Sequence, residues 1–279
     1  MASPSSASTP HASPAAATRR AVLVTGGARR IGRAIVLELA RAGCDVGVHY
    51  RRSRDEALAT CAEAAAFGVR AEPLAADLAD EAQCDALVPQ AVARFGRLDA
   101  VVHNASLFEY DDVSGFSHAA MERHWKANTA PAIQLARALH RQLAPSPRHT
   151  CSEDGCVVLL LDQKLWNPNP DYLSYTLSKA ALEAALAPLA LALAPALRVV
   201  GVAPGVTLLS GAMSQAELER ARTMTPLQRS STPDDVARAV RFAIESPAVT
   251  GTTLLVDGGQ HLSGQPRDVM FLARVAPQA

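Results

Sequence analysis

The 279-residue chain carries 49% hydrophobic and 19% charged side chains, enough to bury one sizeable core, and α/β chains of this size commonly stay a single domain. Lys+Arg and Asp+Glu balance at 27 each, so no overall field draws the protein to nucleic acid or an anionic membrane, and small-molecule chemistry is favoured. The five cysteines are scattered and odd in number. Cys151 and Cys156 lack the second ligand pair of a zinc site, so no metal is expected, and reduced thiols suit a cytoplasmic setting.

Residues 1–18, "MASPSSASTPHASPAAAT", hold no apolar run of signal-peptide length and no Arg-rich amphipathic pattern, and are expected to be a disordered tail. No stretch reaches about 18 uninterrupted apolar residues, so no membrane span is expected. From residue 20 onward short β-branched or apolar runs alternate with longer Ala/Leu-rich ones. Strands are predicted at 21–25, 45–50, 69–75, 99–104, 156–162, 198–203 and 252–257, with helices filling most gaps. That alternation predicts an α/β fold: a single-domain, Rossmann-type, doubly wound parallel sheet with helices on both faces. The domain is expected over 19–262, followed by a C-terminal extension at 263–279. In such sheets ligands bind at the carboxyl ends of the strands.

The first strand end is "AVLVTGGARRIGRAI". The strand closes at Thr25, a turn follows at Gly26 and Gly27, and a helix opens near Gly32. Backbone N–H groups and the positive helix end then face a phosphate. The second end is "VGVHYRRSRDEA". A fold selecting NAD places Asp or Glu there for the ribose 2′-hydroxyl, whereas Arg suits a 2′-phosphate. His49, Tyr50, Arg51, Arg52 and Ser53 include no acid, which predicts NADPH. Further on, "AVVHNASLFEY" follows strand four, Asp162 follows strand five, and "SYTLSK" sets Tyr175 and Lys179 one turn apart on one helix face.

With the glycine turn, the Asn-Ala segment, the Tyr-x-x-x-Lys pair and "APG" at 203–205, the chain resembles the short-chain dehydrogenase/reductases from about residue 20 to 262. It is most similar to their pteridine reductase and dihydromonapterin reductase branch. The resemblance implies that Thr25, Gly26, Arg30, Ile31, Gly32, Asp77, Leu78, Asn104, Ala105, Ser106, Pro204 and Gly205 join residues 49–53, Tyr175 and Lys179 around the cofactor. Arg30 stands where most of the family has a glycine, and in this branch it lies between cofactor phosphate and pterin. Arg52 and Ser53 map onto the 2′-phosphate contacts, with Arg51 at a variable position. His103 and Ser106 in "HNAS" replace the family's usual Asn and Gly. Phe108 matches the aromatic that stacks on the pterin, and Tyr172 a pocket-wall tyrosine.

Most of the family has a serine about a dozen residues before the tyrosine. Here Asp162 lies 13 before Tyr175, and a carboxyl suits the nitrogens of a heterocycle. The expected reaction is reduction of a dihydropterin or dihydrofolate, with Tyr175 and Asp162 relaying the proton. Lys179 is expected to lower the phenol pKa and hold the nicotinamide ribose, and Asn128 to complete the proton path through water. Asp162 as a strand-end cap or a partner of Lys164 is the competing reading. A ketone or sugar reductase, or a non-catalytic NADP(H)-binding regulator, remains open as a function. The family likeness implies a homotetramer. Pro188 is expected to kink or end the helix that begins near Tyr172. Trp166 and Met213 are candidates for lining the pocket, loops 163–171 and 206–224 for side-chain selectivity, and the long connector at 144–155 and the 263–279 extension for reshaping pocket or interface.

Overall fold

The computed structural model describes residues 19–143, 155–209 and 213–274. The proposed tail at 1–18 and nearly all of the 144–155 connector, Cys151 included, lie outside the described residues. The elements run β1 (Ala21–Val24), α1 (Arg30–Arg41), β2 (Asp45–Tyr50), α2 (Arg54–Ala65), β3 (Ala71–Ala75), α3 (Glu81–Phe95), β4 (Ala100–His103) and α4 (His118–His124). A π-helical turn at Trp125–Thr129 then leads into α5 (Ala130–Leu143), β5 (Cys156–Leu160), α6 (Leu173–Leu193), β6 (Arg198–Pro204), α7 (Gln215–Thr223), α8 (Pro233–Glu245), β7 (Thr252–Val256) and the short α9 (Val269–Leu272).

All seven predicted strands form, in one parallel sheet of order β3-β2-β1-β4-β5-β6-β7. Alternation along each strand divides the core in two. Val22, Val24, Val46, Val48, Val102, Val158 and Val200 face α1 and α8 on one side. Leu23, Val101, Val157, Leu159 and Val199 face α3, α5 and α6 on the other. The strand order reverses between β1 and β4, and that crevice at the carboxyl ends is where a doubly wound sheet binds its ligand.

Five of the strands, β1, β3, β4, β5 and β7, are one or two residues shorter than predicted, and at two of them the cause is visible. β4 stops at His103 and β5 at Leu160, because Asn104 and Asp162 use their side chains to bond neighbouring backbone and turn the chain out of the ladder. The helix expected to falter at Pro188 does not end there: α6 runs 21 residues through it. By length and hydropathy α6 could cross a membrane, yet Ser174, Tyr175, Ser178 and Lys179 form a buried polar face on it. That face carries the candidate site.

Candidate active site

A cleft of about 1170 Å³ opens along the carboxyl ends of the strands. Of the residues singled out in the sequence, Gly26, Arg30–Gly32, His49–Ser53, Asp77, Leu78, Asn104–Ser106, Phe108, Asp162, Tyr175, Lys179, Pro204 and Gly205 all line it, and so does Met213. Thr25, Asn128, Tyr172 and Trp166 do not. The first three act from behind the wall.

The phosphate end is built on backbone. Gly26 (φ +62) leaves β1 in the left-handed region, and its amide donates to His49 Nδ1 at 3.0 Å. His49 Nε2 meets the Ala76 carbonyl at 3.1 Å. Burial pushes His49 down to about 4, so the neutral ring accepts from Gly26 and donates to Ala76, tying the turn to the end of β3. An added Cβ at Gly32 would come within 2.1 Å of the Gly26 carbonyl, so only glycine lets α1 start this close to the turn. Thr25 accepts from the amides of Asn104 and Ala105, both at 3.0 Å, and locks β1 to the segment after β4. The first turn of α1 has no side-chain cap, so its amides are available to an anion. Arg51 sits 4.0 Å from Asp77, and Arg52 makes no ion pair among the described residues. Uncapped amides beside exposed arginines and Ser53 are the donor set that a dinucleotide with a 2′-phosphate requires.

Arg30 takes φ 55, the region favouring glycine, and its guanidinium spans the cleft to the Leu209 carbonyl at 2.7 Å. Tyr172 is likewise at φ 54, as the residue before α6. Such backbones cost about 1–3 kcal/mol each and persist where surrounding structure enforces them. Arg30 lines the cleft, and Tyr172 backs the aromatic wall behind Phe108.

At the other end the Tyr175 hydroxyl donates to Asp162 Oδ2 at 2.8 Å, while Asp162 Oδ1 accepts the Lys164 amide at 2.9 Å. The two readings of Asp162 therefore coexist: one oxygen caps the turn after β5 and the other meets the phenol. Burial raises the Asp162 carboxyl, against the hydrogen bonds from Lys164 and Tyr175, with Asp268 adding to the rise. Tyr175 is pushed well above its ordinary value by burial and then by Asp162. This corrects the expectation that Lys179 lowers the phenol. The Lys179 ammonium donates instead to the Leu160 carbonyl at 2.6 Å, 5.9 Å from the Tyr175 ring centre, and burial brings it down to about 8.

Asn128 is a brace beneath the site. Its side chain exchanges hydrogen bonds with both main-chain groups of Leu107 (2.6 and 3.0 Å), donates to Ser178 Oγ (2.9 Å) and accepts from Ser106 Oγ (3.3 Å). His103, pushed by burial to about 3, meets the Asn128 carbonyl through Nε2 at 3.0 Å. Both the side chain and the carbonyl of Asn128 are thus engaged by protein, which fixes the Phe108 loop against α6. Phe108 stacks on Tyr172 at 4.2 Å and 16°, and meets Tyr175 edge-on at 4.7 Å. Tyr172 backs that aromatic wall and donates to Met270 Sδ at 3.4 Å.

Residues 26–261 match the profile of the family described as enoyl-(acyl carrier protein) reductase. An L-rhamnose 1-dehydrogenase (NAD(P)(+)) from Sphingomonas sp. is 30% identical over 253 residues, 88% of this chain and 98% of its own length. The chain belongs to the short-chain dehydrogenase/reductase family. A 3-oxoacyl-[acyl-carrier-protein] reductase FabG from Staphylococcus aureus is 29% identical over 248 residues, covering 87% of this chain and 98% of that one. The crystal structure of FolM alternative dihydrofolate reductase 1 from Brucella canis, complexed with NADP, is 40% identical with a TM-score of 0.81, covering 89% of this chain and 96% of that one. The same protein from Brucella suis, also in complex with NADP, is 40% identical with a TM-score of 0.79. The likeness to FolM falls on the branch indicated by Arg30, Phe108 and Asp162.

The 163–171 loop and the 263–279 extension, expected to shape the pocket, both reach the cleft, though no single residue of the extension was singled out in the sequence. Gln265, Asp268, Val269 and Met270 line the cleft from the C-terminal segment, together with Gln163 and Lys164. The charged residues of "QPRDVM" pair with residues about a hundred positions away in sequence, so their roles had no local signature.

Proposed function

We propose that the chain is an NADPH-dependent reductase of a dihydropterin, of the dihydromonapterin, dihydrobiopterin or dihydrofolate type, yielding the tetrahydro form. The observation that carries this reading is the 2.8 Å hydrogen bond between Tyr175 and Asp162 at the foot of a cleft walled by Phe108. The 40% identity to FolM structures complexed with NADP supports it. The α1 amides, Arg52 and Ser53 would hold the phosphates, and Lys179 the nicotinamide ribose; NADPH supplies the hydride. Phe108 offers an aromatic face to a flat bicyclic ring. The Tyr175 hydroxyl gives its proton to the ring nitrogen next to the carbon that accepts hydride, so one C=N bond becomes CH–NH. Asp162, biased toward its protonated form by burial, returns a proton to the tyrosinate.

Reduction of a sugar or ketone carbonyl is the second reading, favoured by the rhamnose dehydrogenase and FabG relatives. Asp162 argues against it, since a carbonyl substrate has no ring nitrogens for the carboxyl to meet. NADPH oxidation by the pure protein, measured against a panel of dihydropterins, quinonoid forms, dihydrofolate, aldoses and simple ketones, separates the two. Turnover with dihydropterins or dihydrofolate is expected; turnover confined to carbonyl compounds overturns the proposal.

A further inference from the structure

The C-terminal segment after β7 enters the cleft through a buried charge cluster. Lys164 is only 3% exposed, and its ammonium donates to the Asp171 carbonyl at 2.6 Å and to Asp268 Oδ2 at 3.2 Å. Asp268 is held in place from two sides. Its amide donates to Asp171 Oδ2 at 2.7 Å, and its Oδ1 accepts the Met270 amide at 3.1 Å, capping α9. Arg267 forks onto Asp171, with Nε and Nη2 contacts of 2.7–3.0 Å. The same Lys164 whose side chain meets Asp268 gives its backbone amide to Asp162 Oδ1. The connection from Asp268 to the Tyr175 hydroxyl is therefore continuous: carboxylate, ammonium, the Lys164 backbone, Asp162, phenol.

We propose that Asp268 is a positioning residue for the proton-delivering pair, anchoring Lys164 so that its amide holds Asp162 against Tyr175, and placing a second negative charge behind that carboxylate. The inference rests on the proton relay proposed above. The charged and titratable groups facing Asp162 are Lys164 and Asp268 from the loop side and Tyr175 and Lys179 from α6; Asp268 in turn faces Lys164, Arg267, Asp171 and Tyr172. A buried ammonium that loses its carboxylate becomes an uncompensated positive charge. Removing the Asp268 charge thus acts twice in one direction, withdrawing a negative neighbour and unmasking a positive one. Both favour the ionised form of Asp162, which has lost the proton needed for relay. Burial remains the main cause lifting Asp162, and Asp268 contributes to the rise of both Asp162 and Tyr175.

The test is the pH profile of kcat for Asp268→Asn, Asp268→Glu and Lys164→Met, with NADPH affinity measured by fluorescence titration as the control for a folded cofactor site. Asp268→Asn is expected to move the alkaline limb to lower pH by roughly one unit. Asp268→Glu restores the parent profile, and Lys164→Met, which removes the positive neighbour, moves the limb the other way. In an Asp162→Asn background the Asp268→Asn change leaves the profile where it is. Superimposable profiles for parent and Asp268→Asn, or equal displacement by Asn and Glu, overturn the proposal. If Asp268→Asn loses NADPH binding, Lys164→Met decides, and an unmoved limb overturns the proposal. The profiles use whichever substrate the parent reduces. A parent confined to ketones therefore removes the pterin reading and leaves Asp268 to be judged on its own limb.

Discussion

The two ends of the cleft use opposite physics. At the phosphate end the donors are backbone amides and long exposed side chains: Arg51 is about half exposed, and the α1 amides open directly onto the cleft. At the substrate end Tyr175 and Lys179 are buried and Asp162 partly so, and burial is the first cause shifting the pKa of each. Preorganised donors can bind a permanent anion without any change in their own charge. A group that exchanges a proton is tuned by its surroundings: burial moves the pKa values of Asp162 and Lys179 toward neutral pH, whereas it moves that of Tyr175 away from it. Variants at the two ends should separate cleanly, affinity from turnover.

Tyr175→Phe is the severest break. It removes the hydroxyl and keeps the ring that Phe108 packs against. Turnover is expected to fall about two to four decades, with NADPH affinity little changed in a fluorescence titration. A Tyr175→Phe enzyme retaining most of its activity would place the proton donor elsewhere, with Asp162 as the next candidate.

The same division governs what the sequence disclosed. The sheet was legible because each strand is a short apolar run closed by turn residues. The glycine turn, the Arg-Arg-Ser stretch and the Tyr-x-x-x-Lys pair were legible because each is a local pattern on one strand end or helix face. What stayed hidden depends on contacts across the chain. The direction of the Tyr175 shift follows from burial and from Asp162, not from the lysine one turn away. The bonding of Asn128 to Leu107 and Ser178 follows from the packing of the Phe108 loop on α6. The entry of Asp268 depends on Asp171 and Lys164, about a hundred residues earlier, and no local periodicity announces such a pairing.

The phosphate end yields the next largest effect. If Arg52 and Ser53 bind a 2′-phosphate, replacing both by Ala weakens NADPH and leaves NADH nearly untouched, since NADH lacks the group they serve. Hydrogen bonds to charged groups contribute about 1.5–3 kcal/mol, roughly one to two decades of affinity per contact. Equal losses for both cofactors in a binding titration would show that the loop supports folding of the β2 end instead.

Asp162→Ser restores the residue type common in the family, and it sharpens the contrast within the substrate end. The serine can still cap the turn after β5 but cannot hold a carboxyl against the phenol. Dihydropterin reduction is expected to drop by at least about a decade, with NADPH affinity retained and any ketone reduction spared or raised. Dihydropterin turnover equal to the parent would reduce Asp162 to its capping role.

The smallest expected effect tests whether Phe108 belongs to substrate binding or to the catalytic pair. One face of its ring is already covered by Tyr172 at 4.2 Å, and its flank meets Tyr175, so only the opposite face is left for a flat substrate. Stacking of that kind contributes about 0.5–1.5 kcal/mol beyond area burial. It acts on bound substrate and transition state alike, because the ring stays planar on the stacked side while hydride arrives from the other. Uniform binding of that sort appears in KM and not in kcat. Phe108→Ala is therefore expected to raise KM for the dihydropterin by roughly 2- to 12-fold, the equivalent of that energy range, and to leave kcat within about twofold. The edge contact with Tyr175 makes the alternative measurable. If kcat fell while KM held, Phe108 would be aligning the phenol with Asp162, and the aromatic wall would belong to the buried proton relay and not to the face that receives the ring.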